Sequence, residues 1–387
     1  MRDIANVAVH ASQFPEAVRR DLLESLRTRR VNPKFLYDSV RQTQKWLALH
    51  QAFSPSRNDG DCAAIYGRSF DAVASRIKAR GIHLIGLGCG GGQKDARLLK
   101  LLKAQGKEVF YTPCDVSTAM VLVARQAALA VVPERNCFPL VCDLATADDL
   151  PLVLRRLCAE RAAAAIEERG CPSRSRSAPT SIPASRPATA LATCCGWDTR
   201  APKNPGEASA TWMISGQVPA RLITFFGIIP NFEPQIILPK LAALVRRNDH
   251  LLFSANLAPG KSYADGMKRI LPQYDNPLTR DWLMTFLLDL GVERTDGELR
   301  FRIESGGPGG RLKRVAADFR FARAREIKVD SERFGFCRGE TLRLFFSYRH
   351  TPALVRSLLE RHGLRVRDQW IARSEEEGVF LCNAAPG

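Results

Sequence analysis

The chain has 387 residues, 45% apolar and 25% charged, which is ordinary for a globular protein and enough to bury a large core in two lobes. Its net charge of +17 invites a nucleic-acid reading. However, the arginines are spread along the chain, no RNA-binding or helix-turn-helix module is evident, and a small-molecule partner is expected instead. Eleven cysteines and six histidines show no Cys-x-x-Cys, His-x-His or His-Glu-x-x-His spacing, so neither a disulfide scaffold nor a metal site is expected. The N-terminus is broken by charge, and the longest apolar runs, such as residues 222–230, are far too short to span a bilayer. A cytoplasmic, monomeric protein is expected.

Residues 1–60 read as helical. Apolar residues recur at helical spacing over 14–26, 33–40 and 46–50, and 55–60 reads as a loop. Next comes Ile82-His-Leu-Ile-Gly-Leu-Gly-Cys-Gly-Gly-Gly-Gln-Lys-Asp95, followed at once by a helical pattern over 96–103. This is a strand, a tight glycine turn and a helix start, which offers free N–H groups and a partial positive charge to an anionic ligand group. Dinucleotide, phosphate and S-adenosylmethionine sites all use such a turn. A second strand ends at Asp115, where an acid can take two ribose hydroxyls. A helix follows over 118–132. A third strand, 137–143, ends at Asp143, placed to reach an adenine amino group. An Ala- and Arg-rich helix is expected over 150–168. Residues 170–217 are rich in Pro, Ser, Arg, Ala and Thr without periodicity, and read as a disordered insertion. Strands are expected at 220–227 and 249–256 around a helix over 233–247 with Pro234 in its first turn. A more irregular section spans 259–345. A helix over 352–362, stopped by Gly363, precedes a closing hairpin of 364–373 and 378–383. Parallel strands finished by an antiparallel C-terminal hairpin follow the plan of a class I methyltransferase.

From about Asn32 to Cys382, apart from the insertion, the chain resembles the histidine-specific, S-adenosylmethionine-dependent methyltransferase family, which includes the ergothioneine-pathway enzyme. The pieces that carry the resemblance are Lys34-Phe-Leu-Tyr-Asp38, Tyr111-Thr-Pro-Cys-Asp-Val-Ser117, Phe226-Gly-Ile-Ile-Pro-Asn-Phe-Glu-Pro234, Gln273-Tyr-Asp-Asn276 and Gly339-Glu-Thr-Leu-Arg-Leu-Phe-Phe-Ser-Tyr-Arg349. The resemblance implies an α/β fold: a Rossmann-like doubly wound sheet with an antiparallel C-terminal hairpin, plus a smaller α+β substrate-binding domain. On this reading residues 61–258 with 351–387 form the cofactor core, and 1–60 with 259–350 close over the substrate.

The resemblance also implies roles for residues. Gly86, Gly88 and Gly90 form the cofactor loop, and Gly88 and Lys94 hold the methionine end of S-adenosylmethionine. Asp115 binds the ribose and Asp143 the adenine. Asn231 and Tyr274 take a substrate carboxylate, and Tyr37 lines the substrate pocket. No residue is assigned as catalytic beyond proximity and orientation. Three positions depart from the family pattern. Gly86 stands where the family has an acid, Ser54 where it has a Tyr that helps hold the substrate amine, and Phe345 where a carboxylate two residues before Ser347 binds an imidazole. Losing that acceptor costs on the order of 2–3 kcal/mol for an imidazole. The expected activity is therefore N-methylation of an amino acid or related small amine, with histidine itself disfavoured. The alternatives are a class I methyltransferase with another metabolite or RNA as acceptor, and a non-catalytic relative that binds the cofactor.

Overall fold

A computed structural model describes residues 7–54, 59–157 and 219–385; the insertion expected at 170–217 lies outside the described residues. The first strand of the glycine motif, β2 (Gly81–Leu87), is buried over six consecutive residues, as a central parallel strand covered on both faces must be. It pairs in parallel with β3 (Glu108–Asp115) and β5 (Ala220–Phe225), and β5 pairs in parallel with β6 (His250–Asn256). The C-terminal strand β13 (Glu377–Ala384) runs antiparallel between β6 and β12 (Leu364–Ile371). With β4 (Leu140–Val141) beside β3 and β1 (Ala8–Val9) beside β4, the sheet order is β1-β4-β3-β2-β5-β6-β13-β12. Setting β1 aside, this is the class I methyltransferase plan, in an α/β fold.

Helices cover both faces of this sheet. Among them are α3 (Gly60–Arg76), α4 (Gln93–Ala104), α5 (Thr118–Leu129), α6 (Pro234–Leu244) and α9 (Pro352–Arg361). Two apolar clusters result: Tyr66, Phe70, Leu98 and Leu102 pack with Leu84 and Tyr111 on one face, and Ile237, Leu241 and Leu359 pack with Ile223 and Phe380 on the other. A third cluster belongs to a second sheet of β7 (Gly297–Gly306), β8 (Leu312–Phe321) and β11 (Thr341–Arg349), in the order β11-β8-β7. The hairpin of β9 (Arg325–Val329) and β10 (Glu332–Phe336) is a separate two-stranded sheet that adds Ile327, Phe334 and Phe336 to this cluster. There Leu23 and Leu26 of α1 (Pro15–Arg27), Phe35, and Trp282, Phe286 and Leu287 of α8 (Pro277–Asp289) bury Phe319, Phe321 and Leu344. Helix α2 (Val40–Phe53) packs on α8.

The structure differs from the sequence expectations in places. The third strand shrinks from 137–143 to two residues: at its start Pro139 has no N–H to give the ladder and Cys137 makes only an isolated bridge to Tyr111, and at its end the pairing with β3 stops at Val141. Asp143 thus lies in the loop beyond the strand. Residues 33–40 form a short 3-10 turn (Pro33–Leu36), and Ser39 then starts α2 with a full capping box. The N-terminal segment is not all helical, since Ala8–Val9 adds a strand to the cofactor sheet.

Asn276 fixes the junction between Tyr274 and α8. Its Oδ1 accepts from the Thr279 N–H at 3.0 Å and its Nδ2 donates to the Gln273 carbonyl at 2.8 Å. Asn276→Ala is expected to cost about 1–2 kcal/mol in urea unfolding, and Asn276→Asp, which keeps the cap and loses the donor, less than that. Equal stability of all three proteins would remove this role.

Candidate active site

A cavity of about 800 Å³ opens at the edge of the sheet where β2, β3, β5 and β6 end, the edge at which open α/β sheets bind ligands. Of the twelve residues singled out from sequence, eleven line it: Tyr37, Ser54, Gly88, Gly90, Lys94, Asp115, Asp143, Asn231, Tyr274, Phe345 and Ser347. Gly86 does not line it and stands behind the wall.

The glycine loop is built to let a ligand near the backbone. Gly88 and Gly90 have φ of 61° and 52°, a region that L side chains avoid. A side chain on Gly88 would collide with Ile228, whereas at Gly90 the nearest atom to an added Cβ is on Trp46, 3.7 Å away. The Gly90 N–H donates to Asp115 Oδ2 at 3.0 Å, and Ser117 N–H donates to Oδ1 at 3.0 Å. Burial raises the Asp115 carboxyl, and these backbone donors act against that rise. One edge of the carboxylate is thus locked to the loop.

Asp143 is held differently. Its Oδ1 accepts from the Ala145 N–H at 2.9 Å. Its Oδ2 is buried and accepts no hydrogen bond; Lys34 Nζ stands 3.9 Å away and is itself paired with Asp21 at 2.5 Å. A buried carboxylate oxygen without a donor is costly unless a ligand supplies one. An orphaned acceptor, an open glycine loop and a loop-locked acid fit an adenosine with its ribose and its exocyclic amino group.

Gly86 has a specific steric reason. A Cβ there would run into Asp95 Oδ2. Asp95, in the first turn of α4, is 3% exposed and accepts from Tyr111 Oη on β3 and Thr224 Oγ1 on β5, both at 2.8 Å. The charge missing at Gly86 is therefore returned to the strand tips by the following helix.

At the other end of the cavity the walls are aromatic. Tyr37 sits 5.8 Å from Trp46 and 5.5 Å from Trp282, ring centre to ring centre; Phe345 sits 5.7 Å from Trp282 and 6.2 Å from Tyr274. Polar groups stand among them. Asn231 Nδ2 lies 3.4 Å from Tyr37 Oη, a long contact. Asn231 closes a 3-10 turn (Ile229–Asn231) and does not cap α6, whose N-cap is Glu233. Burial, and then the Asp115 charge, push the Tyr37 hydroxyl well above its ordinary range, so it stays protonated.

Tyr274 and Ser347 hydroxyls are 2.8 Å apart, and Arg349 Nε donates to Tyr274 Oη at 3.0 Å. Whichever hydroxyl donates to the other, one O–H proton of the pair is left over, and no described residue accepts it. Arg349 is 4% exposed and also donates to the Leu257 and Glu376 carbonyls and to Gln273 Oε1. It biases this corner toward an anionic oxygen. Ser54 ends α2, its N–H bonded to the His50 carbonyl.

Sequence reasoning missed Asp95, Trp46, Trp282, Arg349 and Glu377. Trp46 and Arg349 fall inside segments that were recognised, without a spacing that marks them. Among the described residues no group of three His, Cys, Asp or Glu could hold a metal, and no helix is long and apolar enough to cross a membrane.

Residues 18–163 match the sequence model of a family described as histidine-specific methyltransferase, SAM-dependent. No curated protein matches the chain. Solved structures that resemble it include magnesium protoporphyrin IX methyltransferase from Synechocystis PCC 6803 with bound SAH (12% identity, 90% of this chain and 95% of that one, TM-score 0.38). The CcbJ methyltransferase from Streptomyces caelestis is another (10%, 86% and 96%, 0.35). A third is 1,6-didemethyltoxoflavin N1-methyltransferase from Burkholderia thailandensis (10%, 89% and 91%, 0.33).

Burial pushes the Asp95 carboxyl up to about 6 from its ordinary 3.8, against the opposing bonds from Tyr111 and Thr224. The folded protein therefore holds this proton more tightly than the unfolded chain. The stability it contributes is full below the ordinary value and is lost as pH rises through about 6. Relative to Asp95→Asn, the wild type is expected to lose about 2 kcal/mol between pH 4 and 7 in urea unfolding. A difference between the two proteins that does not vary with pH would contradict this.

Proposed function

We propose that this chain, whose residues 18–163 match the model of the histidine-specific, SAM-dependent methyltransferase family, is an S-adenosylmethionine-dependent methyltransferase that methylates the amino nitrogen of an amino acid with an apolar or aromatic side chain. The observation that carries this reading is the aromatic wall of Tyr37, Trp46, Trp282, Phe345 and Tyr274, set beside the Arg349–Tyr274–Ser347 donors. Aromatic faces attract an amine that becomes cationic as it is alkylated, by about 0.5–2 kcal/mol per contact. The hydroxyl pair and Asn231 suit the carboxylate of the same molecule.

S-adenosylmethionine supplies an electrophilic methyl on a sulfonium and leaves as a neutral thioether. The protein's part is positioning. The glycine loop, Lys94, Asp115 and Asp143 bind the cofactor. Asn231, Tyr274 and Ser347 fix the acceptor carboxylate, and Tyr37, which feels the Asp115 charge, stands where the two ligands meet. Such alignment can supply roughly 7–11 kcal/mol of the barrier. We read residues 61–258 with 351–387 as the cofactor domain and 1–60 with 259–350 as the substrate domain, whose closure excludes water.

Phe345 turns a ring toward Tyr274 and Trp282, so nothing at that position accepts an imidazole N–H. That supports an acceptor other than histidine.

Calorimetric titration with S-adenosylmethionine and S-adenosylhomocysteine tests the site. Asp115→Ala is expected to weaken both by on the order of 10–100-fold; unchanged affinity would displace the ribose assignment. A mass-spectrometric screen of tryptophan, tyrosine, phenylalanine and histidine should show added methyl groups on an aromatic acceptor ahead of histidine. Phe345→Glu is expected to shift that preference toward histidine by about tenfold or more. Turnover of histidine alone by the wild type would refute the specificity reading.

A further inference from the structure

Glu377 opens β13, and because that strand is antiparallel its first residue arrives at the same sheet edge as the last residues of β5 and β6. The side chain lines the cavity and is 4% exposed. Its Oε1 accepts a short hydrogen bond from Tyr66 Oη and lies 3.5 Å from Lys94 Nζ; its Oε2 accepts from Cys62 Sγ at 3.3 Å. Lys94 Nζ in turn donates to Tyr66 Oη at 2.7 Å and stands 4.2 Å from the centre of that ring. Burial alone would raise the Glu377 carboxyl. The Lys94 charge and the bonds from Tyr66, Cys62 and Lys94 outweigh it and hold the group below the usual carboxylate range.

The result is an ionised, buried carboxylate that faces a ligand cavity. Among the described residues its one cation, Lys94, is at a separation longer than a normal charge-assisted bond. Oε2 has a single thiol as donor, a weak one, so it keeps acceptor capacity. Lys94 and Glu377 therefore offer opposite charges side by side at one end of the cavity. An α-amino acid end group carries the complementary pair, a carboxylate and an ammonium on one carbon.

We propose that Glu377 is a cofactor ligand: it receives the α-ammonium of the methionine end of S-adenosylmethionine while Lys94 receives the α-carboxylate. This rests on the reading that Lys94 holds the methionine end. Binding exchanges one loose ion pair for two cross pairs, so no buried charge is left unmatched. Tyr66 and Cys62, both on α3, aim the carboxylate and do not touch the ligand.

The test uses two ligands that differ only in the amino group: S-adenosylhomocysteine and its deamino analogue, 4-(adenosylthio)butyrate. By calorimetry the wild type is expected to bind S-adenosylhomocysteine at least about tenfold more tightly than the analogue. Glu377→Gln is expected to lose that preference by weakening S-adenosylhomocysteine and leaving the analogue within about threefold. Glu377→Asp, which keeps the charge on a shorter arm, should retain a reduced preference and serves if the glutamine variant does not fold. Lys94→Gln should weaken both ligands alike. A wild type that does not discriminate, or a Glu377→Gln protein that weakens both ligands equally, overturns the assignment and leaves Glu377 as a support for Lys94. If Lys94→Gln leaves both affinities intact, the placement of the methionine end fails as well.

Discussion

A single buried carboxylate, that of Asp95, holds the floor of the site in place. It comes from the helix that the glycine loop introduces, and it reaches back under Gly86 to accept hydrogen bonds from the Tyr111 and Thr224 hydroxyls. Those two residues lie on the strands flanking β2, so one side chain joins both neighbours of β2 to the helix that follows it. A carboxylate buried this deeply is tolerable because both oxygens are bonded and because it sits in the first turn of a helix, where negative charge is favoured. The same helix start carries Lys94, and the loop before it supplies the Gly90 N–H that bonds Asp115.

The cofactor half was legible in the sequence where the pattern has only one physical reading. A continuous apolar run that ends in glycines and resumes as a helix can hardly be anything but strand, turn and helix start, and β2, the loop and α4 appear where expected. Asp115 closes its strand as read. Asp143 does not, because the pairing of β4 with β3 ends at Val141, yet its loop still returns the carboxylate to the cavity. Tyr37, Asn231, Tyr274 and Ser347 came from likeness to a family, since nothing in their spacing announces a common pocket; their convergence is a property of the tertiary fold.

What stayed hidden has a common physical cause. Glu377 sits at the start of a strand, and only the knowledge that this strand runs antiparallel puts its beginning at the ligand edge. Arg349 reads as an ordinary charged residue of an amphipathic strand until its four acceptors are seen to come from three separate segments. Trp282 looks like one more apolar position in α8, yet its ring is both core and cavity wall. Asp95 reads as a helix-first-turn acid, which it is; its second task follows from the empty space that glycine leaves at Gly86.

The placement of β13 also constrains how the chain comes to be folded. Between β6 and β13 the polypeptide leaves the large sheet, builds the whole β7–β11 unit and returns, and β13 then enters as an interior strand with β12 at the margin. During synthesis β6 therefore waits with one hydrogen-bonding edge bare while more than a hundred residues follow, which is the slow, high-contact-order situation in which nascent chains are prone to mispair. The strand that ends the wait also carries Glu377. Completion of the sheet and arrival of the carboxylate beside Lys94 are thus one event, and a ribosome-bound or C-terminally clipped chain lacks both together.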